Sequence, residues 1–189
     1  MKQPINLDYL VSLNPCEARL DAYKSQYKNF NGTFSEFLDL KKVSYDDKIW
    51  VAMRYLNINQ LVHFAILCAD SVLPIFEAKY PENKSVIKLL NYMKKIEDFS
   101  IISSDQKHDI QVLRRSVAYA YITAASDAAY AAIYAAAAYA AYAAIYAADA
   151  VAAAASTVTA YATDASTVAA AKYEQQELNL IYLKMVDTL

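Results

Sequence analysis

Glycine is almost missing from this chain: Gly32 stands alone among 189 residues. Average usage of about 7% would place about thirteen. Phosphate-cradling loops and tight hairpin turns depend on glycine's freedom at positive φ. Walker and Rossmann fingerprints are therefore excluded, and an all-β fold is argued against. Histidine is nearly as scarce, with only His63 and His108, which leaves no His-rich metal site. Two cysteines, Cys16 and Cys68, make no disulfide framework at this length. Residues 1–10 hold Lys2 and Asp8 but no apolar stretch of the signal-peptide kind. A reducing cytoplasm is the expected compartment, with both cysteines as small buried apolar groups.

Positive charge is missing from much of the second half. No Lys or Arg lies between Arg115 and Lys172, where Asp127, Asp149 and Asp164 are the only charges. Residues 1–115 carry sixteen Lys/Arg against fourteen Asp/Glu, and residues 116–189 carry two against six. A nucleic-acid binder shows a concentrated basic face; none is visible, so DNA and RNA are not expected partners. Residues 128–148 contain no charge at all, and about twenty residues suffice to cross a bilayer. Alanine and tyrosine are weakly apolar, however, and Asp127 and Asp149 bracket the stretch without a flanking cation to orient it. No membrane span is expected.

What is present is helix-forming. Hydrophobic residues make up 57% of the chain and charged residues 20%, a balance that favours a packed core over disorder. Helix starts are written into the first 115 residues. Asn14-Pro15-Cys16-Glu17 places a capping residue before proline, and Leu20, Tyr23, Tyr27 and Phe30 follow at helical spacing up to a stop at Asn31-Gly32. Thr33-Phe34-Ser35-Glu36, Ser44-Tyr45-Asp46-Asp47 and Asn57-Ile58-Asn59-Gln60 read as capping boxes. Residues 61–80 are apolar nearly all round, which predicts a central helix, with a kink or break at 71–73 imposed by Pro74. Tyr80-Pro81-Glu82 predicts a further start, with Val86, Leu89, Leu90, Met93 and Ile96 on the buried face. Ser103-Ser104-Asp105 caps the next helix.

Residues 116–189 have neither glycine nor proline. One helix of that length would reach about 110 Å at 1.5 Å per residue, against a radius of gyration near 16 Å for a compact domain of this size. The stretch is therefore expected to reverse, at Ser126-Asp127, Asp149, Ser156-Thr157 or Thr163-Asp164, where short polar side chains cap helices. Tyr130-Ala131-Ala132-Ile133-Tyr134 recurs as Tyr142-Ala143-Ala144-Ile145-Tyr146, a spacing that fits no solenoid repeat. Alanine lets helix axes approach closely and tyrosine fills what remains. The expected fold is all-α: one domain over residues 1–189, a bundle of about seven to nine helices. Its C-terminal half is a close-packed Ala/Tyr-rich hairpin followed by an amphipathic helix.

Candidate sites are few. His63 and Asp70 stand about two turns apart, close enough to share a face; a partly buried histidine bonded to a neighbour is the simpler reading. His108 reads as an exposed first-turn residue. Trp50 and Arg54 lie four apart on one helical face, where the guanidinium can stack on the indole. Trp50 supports the core beside Ile49 and Met53, or it anchors a contact surface. Asp127, Asp149 and Asp164 are helix caps or an acidic face turned to a basic partner. No catalytic constellation, metal site or cofactor emerges, so the chain is not expected to be an enzyme.

The succession of Ile49-Trp50-Val51-Ala52-Met53-Arg54, the Tyr-punctuated tract 127–171 and Lys172-Tyr173-Glu174-Gln175-Gln176-Glu177-Leu178-Asn179 resembles the all-helical immunity proteins of bacterial polymorphic-toxin systems, which phages also carry. The similarity extends over most of the chain. It implies a non-enzymatic cytoplasmic protein that neutralises a toxin or defence effector. The residues themselves, by type and charge, make Trp50, Arg54, Asp127, Asp149 and Asp164 the ones expected at the protein contact. The alternative is a phage anti-defence protein that sequesters a nucleotide signal, using tyrosines and Trp50 as aromatic walls and Arg19, Arg54, Arg114 or Arg115 for phosphate. A helical homo-oligomer joined through Tyr/Ala ridges is the third reading.

Overall fold

The computed structural model describes residues 2–124 and 168–189. Among them the chain forms eight α-helices, a 3-10 turn and one two-stranded ribbon, so the all-α expectation holds. The Ala/Tyr-rich hairpin and all its proposed reversals lie outside the described residues.

Strand β1 (Ile5–Asn6) runs directly into helix α1 (Leu7–Ser12). It pairs antiparallel with β2 (Asn31–Gly32), Ile5 opposite Gly32 and Asn6 opposite Asn31. Between them lies α2 (Glu17–Tyr27). The Asn14 reading needs correction. Asn14 ends α1 instead of starting α2: its φ is 54° and its N–H donates to the Val11 carbonyl at 3.0 Å. Asparagine tolerates this left-handed geometry better than other side chains. Cys16, which caps α2 without a side-chain bond, is exposed and not buried. Helix α2 stops at Tyr27, and Asn31-Gly32 is the partner strand instead of a helix stop.

The next starts match their boxes. Helix α3 (Phe34–Leu38) carries a complete box: Thr33 Oγ1 accepts from Glu36 N at 3.2 Å, and Glu36 Oε2 accepts from Thr33 N at 2.7 Å. Helix α4 (Tyr45–Tyr55) is capped by Ser44, whose Oγ accepts from Asp47 N at 3.1 Å. Helix α5 (Ile58–Lys79) opens with Asn57 and Gln60 bonded to each other's backbone N–H at 3.0 and 3.1 Å. It runs through Pro74 without a break. Pro74 is exposed, so the ring stands on the solvent side, while the opposite face keeps its packing and holds the helix together.

Helix α6 (Ser85–Met93) starts three residues later than Pro81-Glu82 predicts. Asn83 Oδ1 takes the Ser85 N–H at 3.1 Å and the Ser85 hydroxyl at 2.7 Å, so a tight turn occupies the interval. Val86, Leu89, Leu90 and Met93 are fully buried, as their spacing predicts. A 3-10 turn (Phe99–Ile101) leads to α7 (Ser104–Ala124), where Ser103 and Gln106 form another reciprocal box at 3.1 and 2.8 Å. Helix α8 (Val168–Asp187) closes the chain.

Helix α6 packs on α7, and α8 packs on α5 and α3. Leu180, Leu183 and Val186 of α8 reach the core at helical spacing. Each such burial is worth about 1.5–3 kcal/mol against exposure. Buried polar bonds fix the register. Gln60 Nε2 donates to the Val186 carbonyl at 2.9 Å, the Cys68 thiol to Asn179 Oδ1 at 3.4 Å, and Asn179 Nδ2 to the Tyr45 hydroxyl at 2.8 Å. Lys2 and Asp187 form an ion pair at 2.8 Å, which ties the start of the described chain to the end of α8.

Candidate functional site

Helix α4 presents the pair that the four-residue spacing anticipates. Arg54 Cζ lies 4.0 Å from the Trp50 ring centroid, and Arg54 Nη1 donates to the Trp50 carbonyl at 3.0 Å. The guanidinium is thus held twice, by a ring face and by the backbone of the same helix turn. Trp50 is half-buried and packs on the core, whereas Arg54 is exposed. Trp50 therefore packs on the core, as the first of its two readings expects, and also carries the guanidinium of an exposed arginine.

On the same helix, Trp50 borders a pocket of about 60 Å³ between α2 and α4. Its walls are mostly apolar, with Leu20, Tyr23, Phe37 and Val43 among them, and Arg19, Lys42 and Asp47 add polar groups. Arg19 Nε meets Asp47 Oδ1 at 3.1 Å. The Tyr27 hydroxyl accepts from Lys42 N at 3.1 Å. Tyr23 is 8% exposed, and its hydroxyl has no hydrogen-bond partner among the described residues. Burial, with a smaller contribution from Tyr27, pushes its pKa up to about 12, so it stays protonated at neutral pH.

A second, wider cleft of about 710 Å³ opens between α3, α4 and α8. Lys41, Lys48 and Lys184 line it together with Asp39, Glu177 and Tyr45. Lys184 is bonded to Asp39. Lys48 is 7% exposed, and burial lowers its pKa against the opposing pull of Glu177 and Asp39.

The remaining candidates separate. His63 Nδ1 lies 2.8 Å from the Asn59 carbonyl, and its ring meets Phe99 edge-on at 6.3 Å. Asp70 pairs with Lys94 at 2.7 Å instead of with His63. The simpler histidine reading is therefore the observed one. Cys68 is wholly buried, and burial raises its thiol pKa far above the ordinary range. His108 is exposed, as expected. Asp127, Asp149 and Asp164 lie outside the described residues. The sequence reading had Tyr23 only as an apolar helix position and Gln60 only as part of a capping box, and it gave no role to Lys48 or Asn179, because the further roles depend on elements distant in the chain. A lysine or amide at a position that falls inside an apolar periodicity is the one signal that could have flagged the last two.

Among the described residues no helix is long and apolar enough to cross a membrane. Nor do three or more His, Cys, Asp or Glu side chains gather there in a way that could hold a metal ion. Comparisons with protein-family profiles, curated proteins and solved structures return no match.

Proposed function

We propose that this chain is a non-enzymatic protein-binding inhibitor of the immunity type, neutralising a toxin or defence effector through its helical surface. The observation that carries the reading is the Trp50–Arg54 pair. Tryptophan and arginine are the commonest anchors of protein interfaces. Holding both in one geometry before contact lowers the side-chain ordering cost of association. The base-free stretch with Asp127, Asp149 and Asp164 adds the charge that would steer a basic, phosphate-handling partner toward it.

The test is co-expression with a panel of bacterial toxin domains, together with the products of the genes beside its own. Protection of growth and a stable complex are expected, and Arg54→Glu should weaken that complex at least tenfold. Failure to protect against, or bind, any of them would refute the proposal.

A second reading, sequestration of a nucleotide signal, is supported by the wide cleft, where Lys41 stands with the Asp39-paired Lys184 and the buried Lys48. Arg19 and Arg54 line different pockets, and Arg19 is engaged by Asp47. Thermal denaturation against a panel of nucleotides separates the readings, since a ligand at 100 times its Kd adds about 2.7 kcal/mol.

A further inference from the structure

We propose that the cleft between α3, α4 and α8 is a binding site for a small monocarboxylate with an apolar body, its carboxylate seated on the Lys48 ammonium. The inference does not rest on the inhibitor reading, and it gives the cleft a different ligand from the nucleotide of the second one.

The first observation is a buried cation without a partner. Lys48 is 7% exposed, and its ammonium makes no hydrogen bond or ion pair among the described residues. Buried charges are normally paired, because an ion taken out of water loses its hydration. A lysine at the surface escapes that cost by burying its stem and leaving its head in bulk water. Lys48 has little surface left for such an escape.

The second is direction. Lys48 lines the cleft, and the charges that act on its ammonium, those of Glu177, Asp39 and Lys184, line the same cleft. The ammonium is also within reach. Among the described residues the Tyr23 hydroxyl is the only side-chain polar atom both sealed from solvent and without a partner. Lys48 Nζ lacks a partner too, so it is not sealed, and its opening is the cleft.

The third is charge and lining. Lys184 is engaged by Asp39. Lys48 and Lys41 then stand against Glu177, which leaves one positive charge over. A single carboxylate cancels it, whereas a polyphosphate would set several negative charges beside Glu177. Leu38, Val43 and Leu180 line the same space, and Ile181 on its wall is 53% exposed. An apolar body has that surface to cover. At about 710 Å³ the cleft falls within the roughly 300–1,000 Å³ of small-molecule sites.

The experiment compares benzoate, its neutral isostere benzamide, and ADP, each added to the full chain at pH 7. Binding is followed by amide chemical shifts of α3, α4 and α8. Benzoate is expected to shift them at millimolar concentration, with benzamide about tenfold weaker and ADP weaker than benzoate. Lys48→Met keeps the stem and removes the charge, so it should weaken benzoate about tenfold and leave benzamide unchanged. Glu177→Gln removes a like charge from the cleft and should tighten benzoate. Lys48→Met should melt no lower than the parent, because the cost of burying the charge exceeds the pull of Glu177 and Asp39. The proposal fails if benzoate shifts none of those amides, or binds no better than benzamide or ADP. It fails equally if Lys48→Met leaves benzoate binding intact, or if Glu177→Gln weakens it. A lower melting temperature of Lys48→Met would show a partner already in place, and would overturn it as well.

Discussion

The lone glycine earns its place by space rather than by conformation. Gly32 does not have positive φ. A Cβ there would come within 2.7 Å of Glu36 Oε2 and 2.8 Å of the Phe30 ring. The first of those atoms is the carboxylate oxygen that caps α3. Gly32→Ala is therefore expected to displace the cap or the ring, at a cost of about 1 kcal/mol, the scale of a lost N-cap. Urea denaturation measures it. The same carboxylate sets a pH dependence. The Thr33 N–H, and then the Thr33 hydroxyl, hold the Glu36 pKa below its ordinary value. Bonds from Ser100 and Asn59 do the same for Asp98. A carboxylate depressed in the folded state contributes stability that is full above its unfolded pKa, about 4. That contribution is lost as pH falls through the lower folded value. Glu36→Gln keeps an acceptor for both bonds, so it should preserve stability at pH 7 and flatten the loss on acidification below about pH 4. Urea titrations at several pH values would show whether it does.

At the scale of elements, what was legible in the sequence was local. Thr33/Glu36, Ser44/Asp47, Asn57/Gln60 and Ser103/Gln106 each complete their bonds within four residues, so nothing distant has to be known. The errors share one origin. Asn14 suits a helix end as well as a helix start, and the choice depends on where α1 stops. Asn31-Gly32 pairs with β1 across 25 residues, in a ribbon too short to show any alternation. Pro74 was expected to kink or break the helix because its local cost is real, and the break does not occur. Tertiary packing outweighs that cost, since the neighbouring positions Cys68, Ala69 and Leu73 remain in the core assembly. Pro74→Ala should then restore a backbone donor within an intact helix and stabilise the protein by about 1–3 kcal/mol. An upward shift of the melting temperature is the expected outcome.

For the whole molecule, the arrangement of α8 was the least legible part. Its apolar spacing announces a helix, but not that Asn179 would sit buried between the Cys68 thiol and the Tyr45 hydroxyl. Nor does any local pattern reveal that Gln60, besides capping α5, would reach Val186. The pockets were hidden for the same reason: Tyr23 and Trp50 become neighbours only when α2 meets α4. Asn179→Ala would take from the buried Cys68 thiol the oxygen it donates to and empty part of a fully buried position, and should destabilise the fold by about 1–3 kcal/mol. Chemical denaturation with an unchanged slope would show the loss without a change of fold. The Gln60–Val186 bond spans 126 positions, and it has a kinetic consequence. Closing so long a loop is entropically uphill until the enclosed segments have organised. The early helices can wind within microseconds, but the final docking step waits on the rest of the chain. The molecule should consequently refold more slowly than its helix content alone would suggest, with amide protection arriving in α4 and α5 before it arrives in α8.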